Sequence, residues 1–177
     1  MKRFRILTIG AAALIALAAF SPSASADVSV NAGSLDFDPA GAPAIGNFSA
    51  VTLNGTPQLT SLTIAPFTIV DATGSAAGWN VLLTVPDLVN GGDTIAASNV
   101  SMSAPVVAGA GASSLTGVTG NATTGALASG EKIVVATGGN GEGTYLISPR
   151  ILKLTIPVTA LQGTYTSNAT IAVVSGP

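Results

Sequence analysis

The carboxylates carry most of the chemistry open to this chain, because the usual catalytic side chains are missing. Its 177 residues contain eight Asp and Glu, six Lys and Arg, and neither histidine nor cysteine. Histidine is the common general base near neutral pH and the common nitrogen ligand of a metal ion, and cysteine is the common thiolate. Their absence removes the Ser-His-Asp and Cys-His constellations. Asp36 and Asp38 in "LDFDP" sit two residues apart, on one face of a strand, and only "GGD" at Asp93 and "GEG" at Glu142 offer further oxygens. Calcium takes about six to eight oxygen ligands. A solvated strand face is therefore the expected role of Asp36 and Asp38. A glycosidase would have to use the same acids, and 5% aromatic residues leave few platforms for a sugar ring. A Ser-Lys dyad would need Lys132, which follows a Ser-Gly turn, or Lys153, which faces outward on an alternating strand. "TGGNGEGT" lacks the Lys-Ser/Thr end of a phosphate loop and reads as a turn. No catalytic residue, metal or cofactor is expected, and the protein reads as non-enzymatic.

The elements that position these residues are strands. Alternation dominates, and no segment after the first 26 residues sustains a helical period. In "WNVLLTV" Trp79, Val81, Leu83 and Val85 share a face. In "RILKLTIPV" Leu152, Leu154 and Ile156 point inward while Lys153 and Thr155 point out. "SLTIAPFTIV" reads as a strand, and "GTYTSNATIAVV" sets Tyr165, Ile171 and Val173 opposite Thr166, Asn168 and Thr170. About eight to ten such segments, separated by Gly, Pro, Asn and Asp, predict an all-β, antiparallel β-sandwich in a single domain. Residues 103–130 are nearly all Ala, Gly, Ser, Thr and Val, and this low-complexity stretch is expected as a long loop or weak edge strands.

Residues 1–26 read as a signal peptide. Lys2, Arg3 and Arg5 precede an apolar run from Ile6 to Phe20, and Ala24-Ser25-Ala26 supplies the small-x-small cleavage pattern. The mature domain would be residues 27–177, enough to bury about 70% of its unfolded surface in one core. Without cysteine, that core works without disulfides, as suits a bacterial exported protein. Only Lys132, Arg150 and Lys153 would then face eight acids. That balance argues against nucleic acid and anionic lipid. The five Asn-x-Ser/Thr triplets, at Asn47, Asn54, Asn99, Asn121 and Asn168, follow from turn and strand chemistry in a Ser/Thr-rich chain.

The single tryptophan is the most informative residue. A lone Trp at the head of an alternating strand fills the space between two sheets. Its surroundings, "IVDATGSAAGWNVLLTV", resemble the first motif of the WxL-domain proteins of Gram-positive cell surfaces. Asp71, Gly78 and Trp79 match that motif, with Val81 where the family has Leu and Thr73 near its Arg position. The chain end, "YTSNATIAVVSGP", is similar to the second motif in unbroken register. There Tyr165, Thr170 and Pro177 match, while Ala169, Ile171 and Val173 replace the aliphatic, Trp and Leu. The chain is identified as a divergent WxL-like domain.

That resemblance implies non-covalent attachment to the cell wall, with the cell-wall polymer peptidoglycan as the ligand. The expectation is a secreted surface protein held by binding, since no sorting signal, second hydrophobic span or lipid site follows the domain. An assembling structural or adhesive subunit, partnered by other surface proteins of the same type, is the alternative. Low charge and a mean hydropathy of +0.60 suit it.

Overall fold

The structure, a computed structural model, describes residues 28–125 and 127–176. The proposed signal peptide and Pro177 lie outside the described residues. The fold is all-β, as the alternation predicts, with several antiparallel sheets packed together. Two single-turn 3-10 helices, Ala97–Asn99 and Leu127–Ser129, are the helical segments described. Among the described residues no helix is long and apolar enough to cross a membrane.

Three four-stranded sheets build the core. The first runs β1 (Leu35–Asp38), β3 (Phe67–Asp71), β12 (Gly143–Ile147), β8 (Val107–Ala110). The second runs β10 (Thr123–Thr124), β7 (Val100–Met102), β13 (Arg150–Ile156), β2 (Gln58–Ile64). The third runs β14 (Thr170–Ser175), β4 (Trp79–Thr84), β11 (Glu131–Ala136), β9 (Val118–Gly120). A small hairpin pairs β5 (Leu88–Asn90) with β6 (Asp93–Ile95).

The first two sheets run on into each other as one strand path, interrupted at a bend. Each of three strands passes from one half to the other, β2 into β3, β7 into β8 and β12 into β13, and keeps its neighbours. Register carries straight through. Ile147 lies opposite Phe67 above the bend and Arg150 opposite Ile64 below it, so two residues on one strand face two on the next. On the other side Ile147 faces Val107 and Leu152 faces Met102, leaving four residues opposite four. Every one of these bends contains a proline: Pro66, Pro105 and Pro149. Proline has no N–H to give to a ladder, so three adjacent strands lose bonds at one level and the sheet folds there. "SLTIAPFTIV", read as one strand, is thus two segments of one strand path with Pro66 at its corner.

The third sheet packs on the upper half of the bent one, and alternation settles which side chains enter the core. Trp79, Val81, Leu83 and Val85 are buried, as are Leu152 and Leu154, while Lys153 and Thr155 are exposed. Residues 103–130 form β8, β9 and β10, one at the edge of each large sheet. Small side chains suffice there, because an edge strand is paired on one side only. Asn121-Ala122 carries the chain from the third sheet to the bent one, the way sandwich corners are made.

Tyr165 has a role that its strand parity did not indicate. It precedes β14 and sits in the arch that carries the chain from β13 to β14. Its hydroxyl accepts the Leu161 N–H at 3.1 Å and donates to the Leu161 carbonyl at 3.2 Å. Such a tyrosine corner ties a sheet-to-sheet crossover to its own backbone. Beside it, Thr166 and Val89 exchange backbone bonds of 2.9 Å, holding the arch to the β5–β6 hairpin. Replacing Tyr165 by Phe keeps the ring and removes both bonds. The unfolding free energy in urea should drop by about 0.5–1.5 kcal/mol, with the native circular dichroism spectrum retained.

Candidate functional site

The segment Asp71 to Gly78 is shaped by a relay of side-chain bonds at every second residue. Asp71 Oδ1 accepts the Thr73 N–H at 3.0 Å and the Thr73 hydroxyl at 2.7 Å. Thr73 Oγ1 lies 2.9 Å from Ser75 Oγ and accepts the Ser75 N–H at 3.3 Å. Ser75 Oγ in turn accepts the Ala77 N–H at 3.3 Å. Asx and Ser/Thr turns of this kind bend a chain without a ladder, which is how "DATGSA" delivers the chain to Gly78. Asp71 itself is buried, between Leu35 of β1 and Gly143 of β12. Thr73 satisfies it with a hydroxyl and a backbone N–H.

Gly78 must be glycine for two reasons. Its φ is +76°, and a Cβ there would collide with the Ala136 carbonyl oxygen of β11. Trp79 follows, fully buried. Its indole Nε1 donates to the Gly141 carbonyl at 2.8 Å, and its ring meets Tyr145 with centroids 5.4 Å apart and planes tilted by 59°. Gly141 has φ +90°, and a Cβ on it would stand 2.7 Å from the indole nitrogen. "TGGNGEGT", read only as a turn, therefore contains the backbone acceptor that the Trp requires. No spacing rule in the sequence ties Gly141 to a residue so far upstream.

Tyr145 closes the same cluster from β12. Its hydroxyl donates toward the Ser114 carbonyl at 2.8 Å and the Glu142 carbonyl at 3.1 Å. Burial, and after it the negative charges of Asp71 and Glu142, push its phenol above the usual tyrosine range.

The strands that follow the first motif's Gly-Trp and end the second motif pair with each other. β14 pairs with β4 along its whole length, so that Thr170 faces Thr84, Ile171 faces Leu83, Val173 faces Val81 and Ser175 faces Trp79. Asn80 is buried under this ladder as well and donates through Nδ2 to the Gly176 carbonyl. Its Oδ1 is buried with no partner among the described residues. Tyr165 stands apart from this ladder. It lines an open cleft of about 420 Å³ with Leu53, Ile95, Ile156 and Leu161. A second cavity, of about 460 Å³, lies where β1 ends.

The remaining candidates are dispersed. Asp36 and Asp38 are exposed on either side of buried Phe37. Asp93 sits in the β5–β6 hairpin and Glu142 beside Tyr145. Among the described residues no three metal-ligating side chains gather. Lys132 and Lys153 are exposed on the outer faces of β11 and β13, and Asn99 and Asn121 donate to local backbone carbonyls of Ala96 and Lys132. Comparisons with protein-family models, curated proteins and solved structures each return no match.

Three measurements follow from this geometry. Trp79→Ala should cost about 3–5 kcal/mol in urea denaturation, a large share of a total stability of about 5–15 kcal/mol. The wild-type emission should be blue-shifted and shielded from iodide; emission like that of free indole would contradict the burial. Tyr145 contributes a pH dependence. Its folded pKa lies above the unfolded value of about 10. The stabilisation is complete below pH 10 and is lost as pH rises through the folded pKa. Urea midpoints above pH 10 should therefore fall more steeply for the wild type than for Tyr145→Phe.

Proposed function

We propose that the protein is a secreted, non-enzymatic surface domain that holds non-covalently to the peptidoglycan of a Gram-positive cell wall. The observation that carries this reading is the β4–β14 ladder. Two motifs that resemble those of wall-binding WxL domains, one mid-chain and one at the chain end, lie side by side as hydrogen-bonded strands. The Gly-Trp pair of the first motif supports the last residues of the second, and Gly176 N–H donates to the Gly78 carbonyl at 2.9 Å. Motifs that share a ladder have a physical reason to occur together, since a change in one strand alters the packing of the other.

The chemistry of the surface supports binding over turnover. Among the described residues the carboxylates lie on β1, β3, β6, β11 and in loops, with only Asp36 and Asp38 sharing a strand; Lys132 and Lys153 stand on outer faces, and Asp71 is held by Thr73. Trp79 is enclosed, so its part in this function is to hold the frame, while contact with a polymer falls to the open surfaces. Insoluble peptidoglycan should pull the purified protein from solution well above an unrelated acidic β-sandwich of similar size. Equal recovery of the two would refute the reading.

A further inference from the structure

The outer side of an edge strand carries a row of N–H and C=O groups that another strand can take. In the large sheets most of these edges are closed or short. Along β2 the preceding chain lies alongside: Ile45 bridges Ile64, the Gly46 N–H donates to the Thr63 carbonyl at 3.0 Å, and the Ser49 N–H donates to the Ser61 carbonyl at 3.3 Å. At β1 the Ala72 N–H donates to the Ser34 carbonyl, so Asp36 and Asp38 turn their backbone groups to β3 and Phe37 turns its own outward. Asp36 Oδ1 then accepts the Phe37 N–H at 2.7 Å and blunts that edge. The turn after β8 brings the Ser113 carbonyl against Gly109, and β9 and β10 are only three and two residues long.

β14 is different. It ends its sheet, with β4 on one side. The Gly176 N–H donates to the Gly78 carbonyl, and the register runs on without a shift to Thr170 opposite Thr84. Backbone groups alternate sides along a strand, so Thr170, Ala172 and Val174 bond to β4, while Ile171, Val173 and Ser175 turn N–H and C=O away from it. Among the described residues none of these outward groups has a hydrogen-bond partner. "TIAVVS" also has no charge and no proline to discourage pairing.

Such a row is satisfied by another extended backbone, and β14 is complementary to itself. In an antiparallel pair with its two-fold axis at Val173, Val173 faces Val173 of the second copy and Ile171 faces Ser175 of the second copy. Every outward donor of the strand then meets an outward acceptor. An axis moved by one residue leaves Ile171 or Ser175 unpaired within β14. The side chains agree with this register, because a larger one meets a smaller one on both faces: Ile171 opposite Ser175, and Val174 opposite Ala172. A two-fold interface requires this kind of self-complementarity.

We propose that β14 is a dimerisation edge, on which a second copy of the chain pairs antiparallel about Val173 and joins the two β14-β4-β11-β9 sheets into one. The pairing needs no wall polymer and is independent of the wall-binding reading.

Sedimentation equilibrium of the purified protein should show a monomer–dimer equilibrium. Cross-linking reads the register, and a chain without cysteine has no competing thiol. Ala172 and Val174 of the second copy form a non-hydrogen-bonded pair, with Cα atoms about 4.5 Å apart, a span that a disulfide bridges. Ala172→Cys mixed with Val174→Cys should therefore give a disulfide-linked dimer under mild oxidation. Neither variant alone should, because like positions lie diagonally across the seam, about 7–8 Å apart. Ala172→Glu combined with Val174→Glu places like charges opposite each other at exposed positions. It should weaken the dimer about tenfold or more while the native circular dichroism spectrum is kept. A protein that stays monomeric at about 1 mM overturns the dimer and leaves the edge to a strand of another protein. Equal cross-linking in the mixed and single-variant samples, or a dimer indifferent to the paired glutamates, overturns it as well.

Discussion

One buried hydrogen bond, from the Trp79 indole to the Gly141 carbonyl, organises the upper end of the sandwich. An indole N–H taken out of water without a partner is costly, so the chain must bring an acceptor to it. That acceptor is backbone, and it can approach only because residue 141 has no side chain. The turn between β11 and β12 is thereby fixed to β4, and β12 carries Tyr145 against the same indole. Gly78, the relay from Asp71 to Ala77 and the ordering of the Gly-rich loops all serve this contact. It holds the packed sheets to each other by more than apolar area.

The lower end is governed by a different constraint. Three neighbouring strands each place a proline at one level, and the sheet bends there while its register continues. A bend of this kind lets one set of strands cover two sides of the core. The tyrosine corner at Tyr165 then fastens the last crossover, so that β14 can return beside β4. A chain without disulfides obtains its cross-links in this way, from backbone bonds to a few well-placed side chains.

Catalysis needs convergent groups whose protonation states differ. Among the described residues the acids lie on β1, β3, β6, β11 and in the loops after β4 and β11, Asp36 and Asp38 sharing β1.

The local pattern of residues was enough to determine the fold class, the inward faces of β4 and β13, and the outward placing of Asp36, Asp38 and Lys153. Period-two alternation is a property of the strand itself, so it needs no knowledge of partners. Trp79 was legible as core for the same reason. The partners were not legible. Gly141 as the acceptor for Trp79, the burial of Asn80 beneath Gly176, the Thr73 hydroxyl on Asp71 and the Leu161 contacts of Tyr165 each depend on what folds against them. The continuity of β2 with β3 and of β12 with β13 was hidden too, because a proline between two apolar runs looks the same whether it ends a strand or bends it. Only pairing with neighbours that bend at the same level distinguishes the two, and pairing is decided by the tertiary structure.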